Sequence, residues 1–171
     1  MKSNIALIGF MGTGKTDVGR LLAKKLGKDF IEVDGLIEQR AGKSIPEIFQ
    51  QDGEIAFREL EIEATREAAE KKNAVIACGG GVVLNQINVD RLREHGVIIY
   101  LTASPEVILK RTSSDTDERP LLVAKDKASQ VEKLLNFRKP FYERAADMTV
   151  NTSELDVAGV VGRIINVIER T

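Results

Sequence analysis

The sequence predicts an α/β fold, a three-layer parallel sheet of about five strands with helices on both faces. Short apolar runs alternate with segments of helical spacing along the whole chain. The octet 9–16, Gly-Phe-Met-Gly-Thr-Gly-Lys-Thr, fits G-x-x-x-x-G-K-[ST] and lies between one such run and one such helix. No internal repeat or low-complexity linker divides the 171 residues, so one domain spanning 1–171 is expected.

Asn4-Ile5-Ala6-Leu7-Ile8 reads as a buried strand. The octet after it is a P-loop, whose glycines let successive backbone N–H groups curl around phosphate oxygens. Lys15 then reaches the terminal phosphates, and the Thr16 hydroxyl is the expected magnesium ligand. Gly12, Thr13, Gly14, Lys15, Thr16 and Asp17, with Arg119 further along the chain, form the candidate ATP-binding set. Residues 17–26 have helical spacing and are closed by Gly27, and the helix N-terminus adds partial positive charge to the anion site. A bland alternative, a glycine-rich turn before a helix-interior lysine, does not account for all four fixed positions and both flanks together.

Phe30-Ile31-Glu32-Val33 is the second strand, and 34–41 is a short helix ended by Gly42. Ser44-Ile45-Pro46-Glu47 reads as an N-cap with proline near a helix start. Residues 53–72 form a long charged helix, and Ala74-Val75-Ile76-Ala77-Cys78 is a third strand halted by Gly79-Gly80-Gly81. A helix over 89–94 precedes the strand Val97-Ile98-Ile99-Tyr100-Leu101, and Ser104-Pro105-Glu106 caps the next helix. The irregular stretch 113–126 is a candidate nucleotide lid. Met148-Thr149-Val150 gives a short fifth strand before a C-terminal helix. In such a sheet, ligands bind beyond the carboxyl ends of the strands.

Composition narrows the class. The formal net charge is −1, so no basic surface for nucleic acid is expected. Cys78 is the only cysteine, which excludes an internal disulfide and gives no metal-site spacing. No apolar stretch approaches membrane-spanning length, and Met1-Lys2-Ser3 leaves no room for a signal peptide before the first strand. A cytoplasmic, monomeric enzyme is expected.

A P-loop alone does not separate kinases from GTPases, motors or binding modules. No Asn-Lys-x-Asp motif for guanine occurs, and the strands at 74–78 and 97–101 do not end in the Asp of an ordinary Walker B. Other features favour transfer to a small acceptor. Asp34 follows a strand at the same sheet edge as the P-loop, Arg58 sits early on a helix, a triple glycine follows another strand, and Arg119 and Arg138 lie further on.

At this point the chain resembles the shikimate kinases. The resemblance runs through the P-loop, Val33-Asp34, Ser44-Ile45-Pro46-Glu47-Ile48-Phe49, Asp52-Gly53-Glu54 with Phe57-Arg58-x-x-Glu61, and Gly79-Gly80-Gly81. It continues in Arg119-Pro120-Leu121-Leu122 and Arg138-x-Pro140-x-Tyr142, and so covers nearly the whole chain. It implies a nucleoside-monophosphate-kinase-like fold with a lid at 113–126 and a substrate-binding helical region at about 34–61. It also implies ATP-dependent phosphorylation of shikimate on its 3-hydroxyl, with magnesium, in aromatic amino-acid biosynthesis.

Shikimate carries a carboxylate and three hydroxyls, so its site needs a paired cation and hydrogen-bond acceptors. Arg58 and Arg138 suit the first task, because a guanidinium grips a carboxylate with two parallel bonds. A solvated helix arginine is the plain alternative for each. Asp34 accepts a hydrogen bond from the attacking hydroxyl, or caps a helix, or does both. By the resemblance, Gly80 touches substrate, and Arg119 neutralises charge on the transferring phosphoryl group. Lys15, Asp34 and Arg119 are thus the catalytic set, and Asp34, Arg58, Gly80 and Arg138 the substrate set. Phe49, Phe57, Glu61, Pro120 and Leu121 are candidates for the pocket wall, and Arg111 resembles a residue that stacks near adenine. His95 reads as a helix-end cation, and Cys78 as a buried small hydrophobe.

Two positions depart from the family pattern. Glu32 stands where an aspartate usually does, and Asp17 follows the P-loop where Ser or Thr is usual. The rival readings are another small-molecule kinase, such as a gluconate or nucleotide kinase, and a nucleotide-binding regulatory module without transfer activity.

Overall fold

The computed structural model describes residues 2–113 and 127–170. Its strands are β1 (Asn4–Ile8), β2 (Asp29–Glu32), β3 (Ala74–Ala77), β4 (Gly96–Thr102) and β5 (Met148–Asn151). They form one sheet in the order β2-β3-β1-β4-β5, and every neighbouring pair is parallel. The helices are α1 (Lys15–Leu26), α2 (Val33–Ala41), α3 (Ile45–Gln51), α4 (Gly53–Glu70), α5 (Gln86–His95), α6 (Pro105–Ser113), α7 (Lys127–Ala145) and α8 (Val157–Glu169).

The central strands are apolar on both sides because helices cover both sides. Ala6, Ile8, Ile76, Ile98 and Tyr100 face a core shared with α2, α4, α5 and α7. Ile5, Leu7, Val75, Ile99 and Leu101 face the other, shared with α1 and α8. The expected three layers are therefore present. After β1 the chain leaves for β2, returns to β3 beside β1, and crosses to β4 on the other side. That reversal opens a crevice at the carboxyl end of β1, where the P-loop begins.

Local signals place most boundaries. Gly14 precedes α1 with φ of 90°, and Gly27 ends it with φ of 64°. Ser44 Oγ accepts from Glu47 N at 3.3 Å, and Ser104 Oγ from Val107 N at 3.3 Å, as the capping signals predict. The differences are informative. Helix α1 starts at Lys15, not Asp17, so the P-loop lysine is already helical. Strand β2 stops at Glu32, which is the N-cap of α2 but makes no side-chain cap bond. Asp34 therefore sits inside the first turn, and its alternative role as the cap falls away. Helix α7 has no counterpart among the sequence expectations. Of the lid expected at 113–126, all but the first residue lies outside the described residues, as do Arg119, Pro120 and Leu121.

Candidate active site

The P-loop is held from within and from behind. Gly12 and Gly14 have φ of 83° and 90°, a region that side chains disfavour, so the turn depends on glycine. Thr13 is buried, and its hydroxyl donates to Phe10 O at 2.8 Å. Lys15 Nζ donates to Gly9 O at 2.6 Å and Phe10 O at 3.0 Å, which keeps the ammonium over the loop. From α6, Arg111 donates through Nη1 to Gly12 O at 3.1 Å and to Thr152 Oγ1 at 3.1 Å, and through Nη2 to Thr152 O at 2.9 Å. Arg111 thus braces the loop against the end of β5.

Beyond the loop lies a cavity of about 440 Å³. Gly12, Gly14, Lys15, Thr16 and Asp17 line one side, and Glu32, Asp34, Cys78, Gly79 and Gly80 the other. The strand ends of β1, β2 and β3 meet here, so residues from three separate sequence blocks share one space.

The triple glycine is the surface on which the remaining groups converge. A Cβ on Gly79 would come 3.0 Å from Asp34 Oδ1 and 3.3 Å from Glu61 Oε2. One on Gly80 would come 3.1 Å from Arg138 Nη1. One on Gly81 would collide with Arg58 Nη1 and lie 2.7 Å from Arg58 Cζ. Glycine lets these side-chain ends approach the backbone this closely. The three positions bring Asp34, Arg58, Arg138 and Gly80 together.

Neither arginine is a solvated helix residue. The Arg58 side chain is 15% exposed, donating from Nη1 to Glu61 Oε1 at 3.0 Å and from Nη2 to Glu54 Oε1 at 3.3 Å. Arg138 is 2% exposed and lies over the Phe10 ring, and its Nε has no hydrogen-bond partner among the described residues. Glu61 is fully buried, and burial raises its carboxyl above the ordinary 4.5 against the opposing pull of Arg58. Burial also pushes the Cys78 thiol up to about 12, which makes it the inert small hydrophobe expected.

Three features escaped the sequence reading. Glu61 holds Arg58, for which the i,i+3 spacing was the available signal. Arg111 is a brace. Tyr142, one turn beyond Arg138, donates to Gly80 O at 2.5 Å. No local pattern announces either of the last two.

The oxygen donors among the residues lining the cavity are the Thr16 hydroxyl and the Asp17, Glu32 and Asp34 carboxylates. Among the described residues no group of three His, Cys, Asp or Glu side chains forms a metal cage. This set fits magnesium, which keeps several waters and is held by few protein oxygens together with substrate phosphates.

The family model described as shikimate kinase matches residues 11–169. A shikimate kinase of Caldanaerobacter subterraneus subsp. tengcongensis is 50% identical over 162 residues, 95% of this chain and 94% of that relative. A shikimate kinase of Thermodesulfovibrio yellowstonii is 48% identical over 167 residues, 98% of this chain and 95% of that relative. The solved structure of shikimate kinase from Acinetobacter baumannii in complex with shikimate matches with a TM-score of 0.94 at 36% identity, covering 99% of this chain and 94% of that one.

Proposed function

The chain belongs to the shikimate kinase family, and from that premise we infer that it transfers the terminal phosphoryl group of ATP to the 3-hydroxyl of shikimate. The observation that carries the reading is the cavity shared by the P-loop, Asp34, Gly79 and Gly80, with Arg138 beside Gly80 and Arg58 beside Gly81 at its margin. One wall suits polyphosphate, and the other suits an anion with hydroxyls.

The roles follow from chemistry. Gly12, Thr13, Gly14 and Lys15 hold the phosphates, with Asp17 at the loop's edge. Lys15 neutralises charge as the phosphoryl group moves, a task of positioning and electrostatics. Arg58 and Arg138 grip the shikimate carboxylate, and Glu61 keeps Arg58 aimed. Asp34 accepts the hydrogen bond of the attacking hydroxyl and takes its proton late. Gly80 lets the ring come close to the backbone. Magnesium, when bound with ATP, supplies charge neutralisation across the phosphates; Thr16 would hold it directly and Glu32 through its water. Arg119 and the lid at 113–126 complete the reading on the strength of the sequence motif alone.

No described helix is long and apolar enough to cross a membrane. We read the protein as a cytoplasmic monomer with ATP and shikimate as its partners, and light scattering of the eluted protein tests the monomer. The function is tested by coupled ADP release with shikimate, gluconate, a nucleoside monophosphate or no acceptor. Release only with shikimate is expected. Release with another acceptor overturns the substrate, and ATP binding without turnover on any acceptor points to a regulatory module.

A further inference from the structure

Each carbonyl of the triple glycine is held. Gly79 O accepts from Val82 N at 3.2 Å, and Gly81 O from Leu84 N at 3.1 Å, both within the turn that follows β3. The middle carbonyl, Gly80 O, accepts from the Tyr142 hydroxyl at 2.5 Å, across a separation of 62 residues. Tyr142 is fully buried, and its ring stacks on Tyr100 with centroids 4.9 Å apart and planes at 23°. Arg138 lies one turn earlier on the same helix and also faces Gly80, where a Cβ would sit 3.1 Å from its Nη1. Helix α7 therefore meets the middle glycine at two points.

We propose that Tyr142 is a positioning residue for the acceptor: its hydroxyl, by holding the Gly80 carbonyl, fixes the Gly80–Gly81 peptide and the spacing between that peptide and Arg138. The inference rests on reading Gly80 and Arg138 as shikimate contacts. The physical need is plain. A run of glycines loses more backbone freedom on ordering than any other sequence, so an unanchored loop would wander. A trans peptide is planar, with its C=O and N–H pointing opposite ways. Holding the Gly80 carbonyl toward Tyr142 therefore turns the Gly81 N–H away from it. Burial raises the Tyr142 hydroxyl above its usual range, so it remains a donor at neutral pH. The bond includes no P-loop atom, and the P-loop beside Gly80 is held by its own bonds from Thr13, Lys15 and Arg111, so the loss should fall first on the acceptor.

The test is Tyr142→Phe in the full chain, with shikimate and ATP titrated separately by calorimetry and kinetics measured for both. The ring and its stack on Tyr100 are kept, so the variant should fold. The shikimate Kd and KM should rise roughly three- to tenfold, the worth of one net hydrogen bond, while ATP affinity stays within about twofold. Incorporating 4-aminophenylalanine at position 142 restores a donor and should restore shikimate affinity. Tyr100→Phe removes the neighbouring hydroxyl and serves as the stability control, lowering Tm without weakening shikimate. Unchanged shikimate affinity in Tyr142→Phe, a parallel loss of ATP, failure of the rescue, or an unfolded Tyr142→Phe protein each overturns the proposal. Wild-type protein that binds ATP but not shikimate overturns instead the acceptor-site reading beneath it, and that result needs no variant.

Discussion

Gly81→Ala tests the acceptor side with a single methyl group. Gly81 has φ of −103° and ψ of 6°, which alanine adopts, so backbone strain is small. The whole effect then comes from the new Cβ, which would collide with Arg58 Nη1 and sit 2.7 Å from both Cζ and Nη2. Ordinary contact is about 3.5 Å, so the guanidinium must retreat by about 1 Å. Retreat pulls Nη1 from Glu61 Oε1, now 3.0 Å away, and spoils the aim at a carboxylate. One lost charge-assisted hydrogen bond to a ligand costs about 1.5–3 kcal/mol, or roughly ten- to a hundredfold in shikimate affinity. The Arg58 side chain is partly exposed, so it can move without unfolding the core. Calorimetric titration should show weakened shikimate and unchanged ATP, with Tm nearly preserved. Shikimate affinity within about twofold of wild type, or equal loss of ATP, would refute the placement of Arg58.

Gly79→Ala presses on Asp34 Oδ1 at 3.0 Å instead, and steady-state kinetics should show a fall in kcat more than a rise in the shikimate KM. Lys15→Met should lower turnover by at least about two orders of magnitude with the fold intact, read by ADP release beside circular dichroism. Glu32→Ala should raise the magnesium requirement in a titration at fixed ATP, and a wild-type curve would make Glu32 a bystander of the cavity. Burial raises the Glu61 carboxyl, so between 4.5 and that raised value the folded state binds more protons than the unfolded one. The stability governed by this group therefore falls as pH rises through that window. Urea midpoints from about pH 4 to 7 should show this component in wild type and lose it in Glu61→Gln.

The readable parts of the molecule were those written locally. A strand, a P-loop and a helix lie in one short run of sequence, and Ser44 and Ser104 announce their helices by the bonds they make a few residues on. The sheet followed from alternation, and the site from three strand ends that must share an edge. Helix α7 was obscured by Pro140 in its interior, which removes an intrahelical bond and argues against a helix; packing of Val131, Tyr142 and Ala145 on the core overrides that local signal. The Arg111 brace joins residues 99 apart, and the Tyr142 bond residues 62 apart. Neither leaves a periodicity or a cap to find. The same distance hides burial, which is why Arg138 looks like any helix arginine until Phe10 and Gly80 are placed beside it.

The wall formed by Gly79, Gly80 and Gly81 bears on inhibitor resistance. A protein usually escapes a bound compound by enlarging or repolarising a side chain that touches it. This wall offers no side chain to change, and behind it stand Asp34, Glu61, Arg138 and Arg58, each already within contact of the space a new atom would take. A substitution that crowds out a compound lying flat on these peptides must also push aside a group that handles the natural substrate. Compounds built to rest on the glycine backbone should therefore leave the enzyme few single changes that exclude the drug and still admit shikimate.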